Sequence, residues 1–300
     1  FVVSRSAGEP AMTFHSRRSP ALCWARGVLR PITEFRPQSD DRAFRYGDGV
    51  FATMALERGL LLDADAHVER LKASAAAMGL RVPEAVRSPG RLCEILALLG
   101  ANGSADGVVR IQISAESGGR GYGRAADDSW ELVEIHPVPA PRVLTLAILE
   151  PDEVPVPALP SVKSCSAVAH VLCARAASRR GVEEAVRVAG GHVLEASASN
   201  LFWIHDGVLC TPAESLPLYP GITRSVVLDV AREGGWEIRE AEFDRAELRR
   251  AGSAFLTNAV RGVEPVAVLE GSPLDWPPAL EALRESAQAA RIEGGLPVPS

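Results

Sequence analysis

The sequence predicts a two-part protein of the α+β or α/β class, and three observations carry that expectation. Helical spacing and strand-like alternation both occur along the 300 residues, with no internal repeat. The helical stretches are segregated from the strands, which suits α+β layering. A proline cluster at Pro137, Pro139 and Pro141 divides the chain near its middle. We therefore place a smaller N-terminal α+β domain at 12–137, a linker at 138–142 and a larger C-terminal domain at 143–292. Residues 1–11 and 293–300 are expected to be disordered or non-native, with Met12 as a natural start.

In chain order, Arg42 to Phe51 is a turn-rich entry to a strand, Val50 to Leu56. The turn Arg58-Gly59 leads into a short strand at Leu60 to Leu62. A helix follows from about Asp65 to Gly79, with Asp63 or Asp65 as N-cap and Gly79 as its stop. A second helix spans Pro89 to Leu99, and strands follow at Gly107–Ser114 and Trp130–His136. The second half reads as a strand Val143–Leu149, a helix Ala167–Arg180, and strands Glu184–Ala189 and His192–Glu195. Next comes a hairpin, Leu201–Ile204 and Val208–Thr211, turned by Asp206-Gly207. A helix Ile222–Gly234, a strand Glu237–Glu242, a short helix Arg245–Ala251 and strands near Phe255 and Val266–Leu269 complete it. The tail after about Ala290 is expected to fray.

Composition excludes several classes. A net charge of −6 gives no basic footprint for nucleic acid. Five cysteines without a CxxC pair, and six scattered histidines, argue against a disulfide framework or a metal site and for a reducing, cytoplasmic setting. No apolar run is long enough to span a bilayer.

The lysines are more informative. Of 32 Lys+Arg residues only Lys72 and Lys163 are lysine. Lys72 lies on a solvated helix flank. Lys163, among small and apolar neighbours after a proline-rich crossover, suits a Schiff-base amine whose charge is disfavoured by desolvation. The competing reading is a stray lysine in an arginine-biased chain. Glu195 ends an apolar strand and precedes four small residues, which lets a flat group lie against the backbone; a solvated strand-end acid is the alternative. Pro220-Gly221-Ile222-Thr223-Arg224 opens a helix whose free N–H groups suit a phosphate, unless Thr223 merely caps it. Arg70, beside His67 and Leu71, offers a bidentate phosphate donor or a plain surface charge. Lysine for a carbonyl, arginine and helix terminus for a phosphate, and glutamate for a ring nitrogen together form the set that pyridoxal 5'-phosphate requires.

These blocks resemble the fold-type IV, or class IV aminotransferase, family of pyridoxal-phosphate enzymes. The resemblance runs from about residue 41 to 270. It rests on Tyr46-Gly47-Asp48-Gly49-Val50-Phe51, His67-Val68-Glu69-Arg70-Leu71, Lys163 with Glu195 to Phe202, Pro220 to Arg224, and Phe255 to Val266. It implies a D-amino-acid-aminotransferase-like two-domain fold, a homodimer with clefts between the domains, and small-molecule amino substrates. It implies Lys163 as the catalytic residue, carrying the cofactor as an aldimine and shuttling the Cα proton. Arg70, Glu195, Ser199, Asn200, Gly221, Ile222, Thr223, Asn258 and Ala259 would complete the cofactor site.

Within the family, Ser117-Gly118-Gly119-Arg120-Gly121-Tyr122 is similar to 4-amino-4-deoxychorismate lyases. Tyr46, Phe51, Arg120 and Tyr122 are accordingly expected to meet the substrate, with Arg120 pairing a carboxylate. Val168 stands where branched-chain aminotransferases have tyrosine, and Ser166 where lyases and D-amino-acid enzymes have asparagine. The expectation is a lyase giving 4-aminobenzoate and pyruvate. A class IV aminotransferase is the alternative, and a non-catalytic cofactor-binding homologue a third.

Overall fold

The structure is a computed structural model that describes residues 21–100, 105–116, 121–123 and 128–299. Two sheets organise it. The first has seven strands in the order Leu296–Pro297, Leu60–Leu61, Gly49–Glu57, Gly107–Ala115, Ser129–His136, Leu22–Ala25, Val28–Pro31, paired antiparallel throughout. The helices Ala64–Ala77 and Pro89–Leu99 cover it, burying Met54, Val68, Leu71, Leu92, Ile95 and Ile111 in one core. Each such side chain contributes roughly 1.5–3 kcal/mol.

The second sheet runs Ile238–Ala241, Val208–Pro212, Asn200–His205, Ser253–Asn258, Gly262–Leu269, Leu144–Ile148, Glu184–Val186. It is mixed, with parallel pairing at Val208–Pro212 against Ile238–Ala241 and on both sides of Leu144–Ile148. The helices Ile222–Glu233 and Pro278–Glu293 pack on one face around Phe202, Phe255, Val227 and Leu283, where the two phenylalanine rings stack at 4.9 Å. The other face buries Trp203, Phe243 and Leu256. Among the described residues no helix is long and apolar enough to cross a membrane.

Several local expectations meet a different outcome. The Leu22–Ala25/Val28–Pro31 hairpin was not expected, yet it turns on Arg26-Gly27, both at positive φ, the pairing a tight primed turn needs. Asp63 precedes the Ala64–Ala77 helix but does not cap it: its φ is +54°, and its carboxylate binds Arg291 at 2.7 Å instead. The strand expected over Glu184–Ala189 is interrupted at Arg187, dividing it into Glu184–Val186 and Val188–Ala189. The tail expected to fray from 290, and to be disordered from 293, is helical to Glu293 and then pairs Leu296–Pro297 with Leu60–Leu61 of the first sheet. The physical cause is an amphipathic helix with Leu280, Leu283 and Ala287 buried.

Candidate active site

Lys163 is placed by backbone pairing rather than by a helix or strand of its own. The Phe51 N–H donates to the Lys163 carbonyl at 2.9 Å, the Cys165 N–H donates to the Gly49 carbonyl at 2.8 Å, and Val50 bridges Ser164. This approach explains the glycines of Tyr46-Gly47-Asp48-Gly49. A Cβ on Gly47, whose φ is +69°, would lie 2.8 Å from Ser166, and one on Gly49 would lie 2.7 Å from the Ile113 carbonyl.

The Lys163 Nζ lies 4.9 Å from the centre of the Phe51 ring and 4.8 Å from that of Tyr219. Burial lowers the pKa of its ammonium, Glu195 opposes this, and Arg110 and Arg70 add to it. A larger neutral fraction makes the amine a better nucleophile and base.

Glu195 is buried and fully engaged. Oε1 accepts from Arg187 Nη2 at 2.5 Å, and Oε2 accepts from Asn200 Nδ2 at 3.2 Å and from the Tyr219 N–H at 3.1 Å. Burial pushes its carboxyl up to about 7, against the pull of Arg187, the Tyr219 N–H and Lys163. Asn200 ties this acid to the helix entrance, donating to the Tyr219 carbonyl at 2.7 Å and accepting from the Gly221 N–H at 3.1 Å. A Cβ on Gly221 would meet Asn200 Oδ1 at 2.1 Å, so any side chain there would displace Asn200 from the Gly221 N–H.

The opposite end gathers donors without acceptors. The Ile222–Glu233 helix has no side-chain cap at its N-terminus, and the Thr223 hydroxyl is buried with no partner. Arg70 Nη1 and His67 Nε2 are buried and unpartnered as well. The Arg70 guanidinium lies 5.6 Å from the centre of the Tyr219 ring, while the backbone N–H of Tyr219 donates to Glu195, so one residue contacts both. Burial, with Arg291, Lys163 and Arg70 nearby, pushes His67 down to about 3 and leaves it neutral. An uncapped helix terminus, a guanidinium, a hydroxyl and an imidazole with unpaired polar atoms fit a phosphate.

Other expected contacts fall differently. Asn258 Nδ2 donates to Ser199 Oγ at 3.0 Å, and its Oδ1 accepts from the N–H groups of Val260 and Arg261, so Ser199 and Asn258 bind each other and the Ala259 turn. The Ala259 carbonyl accepts from Arg291 Nη2 at 2.7 Å. Phe51 stands against Lys163. Tyr46 and Tyr122 meet edge to face at 5.6 Å and line a neighbouring hollow of about 390 Å³ with Ser164, Ser166 and His170, not with Lys163. Arg120 lies outside the described residues. Arg224 is bound to Glu214 and Glu240 and is structural.

Four contributors were missed. Tyr219 is an aromatic just before the Pro-Gly helix opening. Arg110 stands opposite Thr53 and lies 4.1 Å from the centre of the Phe51 ring, on the lysine's side. Only a strand-register argument could have found it. Arg42 is buried and donates to the carbonyls of Gly121, Tyr122 and Gly123, fixing the end of the glycine-rich loop. Arg187 carried no sequence signal beyond an arginine in an apolar strand.

Residues 49–269 match the family described as amino-transferase class IV, a span that takes in Lys163, Glu195 and Thr223. The D-alanine aminotransferase of Listeria monocytogenes is 30% identical over 77% of this chain and 82% of its own. The aminodeoxychorismate lyase of Vibrio harveyi is 27% identical over 79% of this chain and 89% of its own. In structure, a branched-chain aminotransferase from Thermoproteus uzoniensis superposes with a TM-score of 0.84 at 23% identity, over 93% of this chain and 99% of that one. A PLP-bound hypothetical aminotransferase from Mycobacterium tuberculosis gives 0.78 at 26% identity, over 91% and 99%. The chain belongs to the class IV aminotransferase family.

Proposed function

We propose that this protein is a pyridoxal-phosphate-dependent 4-amino-4-deoxychorismate lyase. The cofactor supplies an electron sink for the electrons left on the substrate Cα. Lys163 would hold it covalently, Arg70, Thr223 and the N–H groups at Ile222 and Thr223 would bind its phosphate, and Glu195 would face its ring nitrogen. Phe51 and Tyr219 flank the lysine and keep its Nζ where a Cα proton can be taken up. Their rings also exclude water from that side.

The observation that carries the lyase reading is Arg110. Among the described residues it makes no ion pair, and it lies beside Lys163 against Phe51, where it suits a substrate with a carboxylate beyond the one every amino acid carries. In that reaction Lys163 removes the Cα proton, the enolpyruvyl ether bond breaks with its oxygen leaving as pyruvate after protonation, and the ring becomes aromatic as 4-aminobenzoate. A second reading, an aminotransferase, is favoured by the D-alanine aminotransferase relatives. There Lys163 would move the proton taken from Cα, and water would release the keto acid while the cofactor would retain the amino group. A homodimer is part of the proposal, and light scattering at working concentration tests it.

Product analysis decides between the reactions. Purified protein with aminodeoxychorismate and no keto acid should release 4-aminobenzoate and pyruvate catalytically. No product, together with conversion of the cofactor to its pyridoxamine form by a D- or L-amino acid, would overturn the lyase reading in favour of the aminotransferase.

A further inference from the structure

Glu195 is held by a buried group that the proposed chemistry does not use. Arg187 sits where the Glu184–Val186 strand ends and the Val188–Ala189/His192–Val193 hairpin begins. Its N–H donates to the Glu195 carbonyl at 3.0 Å, and its carbonyl accepts from the Leu194 N–H at 2.9 Å. The two side chains therefore leave from one backbone rung. The Arg187 side chain is 0% exposed, its Nη2 donates to Glu195 Oε1, and its Nε and Nη1 have no partner among the described residues.

Stability alone explains this arrangement poorly. Each buried unpaired donor is destabilising, and an apolar side chain of similar volume is often as stable as a buried ion pair. The cation acts on what it touches, and that is the carboxylate.

The other charged and titratable groups around Glu195 come from every packed element. Lys163 comes from the segment after the crossover, and Cys173, with His170 nearby, from the Val168–Arg180 helix. Tyr219, with Arg70 behind it, comes from the helix entrance. His170 is held neutral by burial and by Arg187, and its Nδ1–H donates to the Ser197 carbonyl at 2.9 Å. Burial pushes the Cys173 thiol up to about 12. Lys163 and Arg187 are thus the cations with a direct pull on Glu195, and Arg187 exerts the larger one. If Lys163 carries the cofactor, its own charge is no longer free to serve.

We propose that Arg187 is a positioning residue: its buried guanidinium holds Glu195 as an aimed carboxylate, so that the proton shared between Glu195 and the cofactor's ring nitrogen resides on the nitrogen. The inference rests on the pyridoxal-phosphate reading above. Without the guanidinium, a carboxylate in so dry a setting takes the proton itself. The ring nitrogen is then left unprotonated, and the cofactor withdraws electrons from Cα less well.

The test begins with the apoprotein, where no turnover is involved. Infrared titration of protein labelled with ¹³C-carboxyl glutamate, with the Glu195 band identified by its loss in Glu195→Gln, gives the protonation midpoint of Glu195. Arg187→Leu and the more conservative Arg187→Gln should each raise it by at least one pH unit, a tenfold or greater gain in proton affinity. Arg187→Lys should return it toward the wild-type value. A midpoint unchanged in either folded neutral variant overturns the proposal, and Arg187→Gln serves if Arg187→Leu does not fold. In the holoenzyme carrying ¹⁵N-labelled pyridoxal phosphate, the ring nitrogen signal should be of the protonated type in wild type and of the unprotonated type in Arg187→Gln; a protonated signal in both also overturns it. Failure of the wild type to take up pyridoxal phosphate at all would instead refute the functional reading, while the apoprotein titration still reports on the Arg187–Glu195 coupling.

Discussion

Around Glu195 both carboxylate oxygens already accept from the protein, through Arg187, Asn200 and the Tyr219 N–H. Arg70 Nη1, Thr223 Oγ1 and His67 Nε2 are instead buried without acceptors. The contrast separates two tasks. A group that must be aimed is fixed by its own protein partners before any ligand arrives. A group that binds an anion keeps its donors unpaired, which costs stability in the empty protein and is repaid on binding. The Lys163 Nζ lies against two aromatic rings, 4.9 Å from the centre of Phe51 and 4.8 Å from that of Tyr219.

The comparison can be broken at its centre first. Lys163→Ala should lower turnover of any substrate by more than about 1,000-fold, because in the proposed reaction one side chain would supply both the covalent attachment and the proton transfer. Weak cofactor binding should survive at the anion end. Turnover near wild type in this variant would remove the lysine from the account.

Arg291→Met tests whether the anion end depends on the C-terminal helix. Arg291 binds Asp63 and the Ala259 carbonyl, each at 2.7 Å, and so joins the base of the Arg70 helix to the Asn258–Ala259 turn. Breaking this buried pair should cost about 3–5 kcal/mol of stability in a denaturant titration. A loss under about 1 kcal/mol would mean that the turn holds itself.

Arg70→Ala should weaken pyridoxal-phosphate binding roughly 10- to 150-fold, the loss of a charge-assisted hydrogen bond. Equilibrium titration of the apoprotein measures it. An affinity within twofold of wild type would move the phosphate elsewhere.

His67 gives a pH test. Its pKa is about 3 in the folded protein against 6.5 for a free imidazole side chain, so between those values the unfolded chain binds more protons. Stability from this residue is present above about pH 6.5 and is lost as pH falls toward 3, at up to about 1.4 kcal/mol per pH unit. Apoprotein His67→Gln should lack that component, and identical acid limbs in variant and wild type would show that His67 charges freely. Thr223→Val should have the smallest effect, about fivefold on cofactor affinity, since a neutral hydroxyl contributes about 1 kcal/mol. A loss as large as that of Arg70→Ala would make the hydroxyl, not the guanidinium, the main anchor.

What was legible in the sequence divides along the same line. Lys163 and Glu195 stood out because each is a charged residue set among small and apolar neighbours. The Pro220–Arg224 helix opening and Arg70 were legible through residue type and spacing. Residues that act through tertiary register were not: Arg110 reaches the lysine only because Gly107–Ala115 pairs with Gly49–Glu57, and Arg187 meets Glu195 only across a hairpin rung. Asn258 and Ser199 are expected from the sequence in the cofactor site, and in the structure their side chains bind each other, a pairing that sequence spacing does not contain. The C-terminal helix was missed although its apolar spacing is regular, because a Gly/Pro-rich end drew the reading toward a frayed tail.

The most direct measurement is to reduce the purified protein with borohydride after incubation with pyridoxal phosphate and to map the labelled peptide by mass spectrometry. The account predicts one label, on Lys163, and none on Lys72. Label on Lys72 alone, or no label while the phosphate end still binds the cofactor, would contradict it.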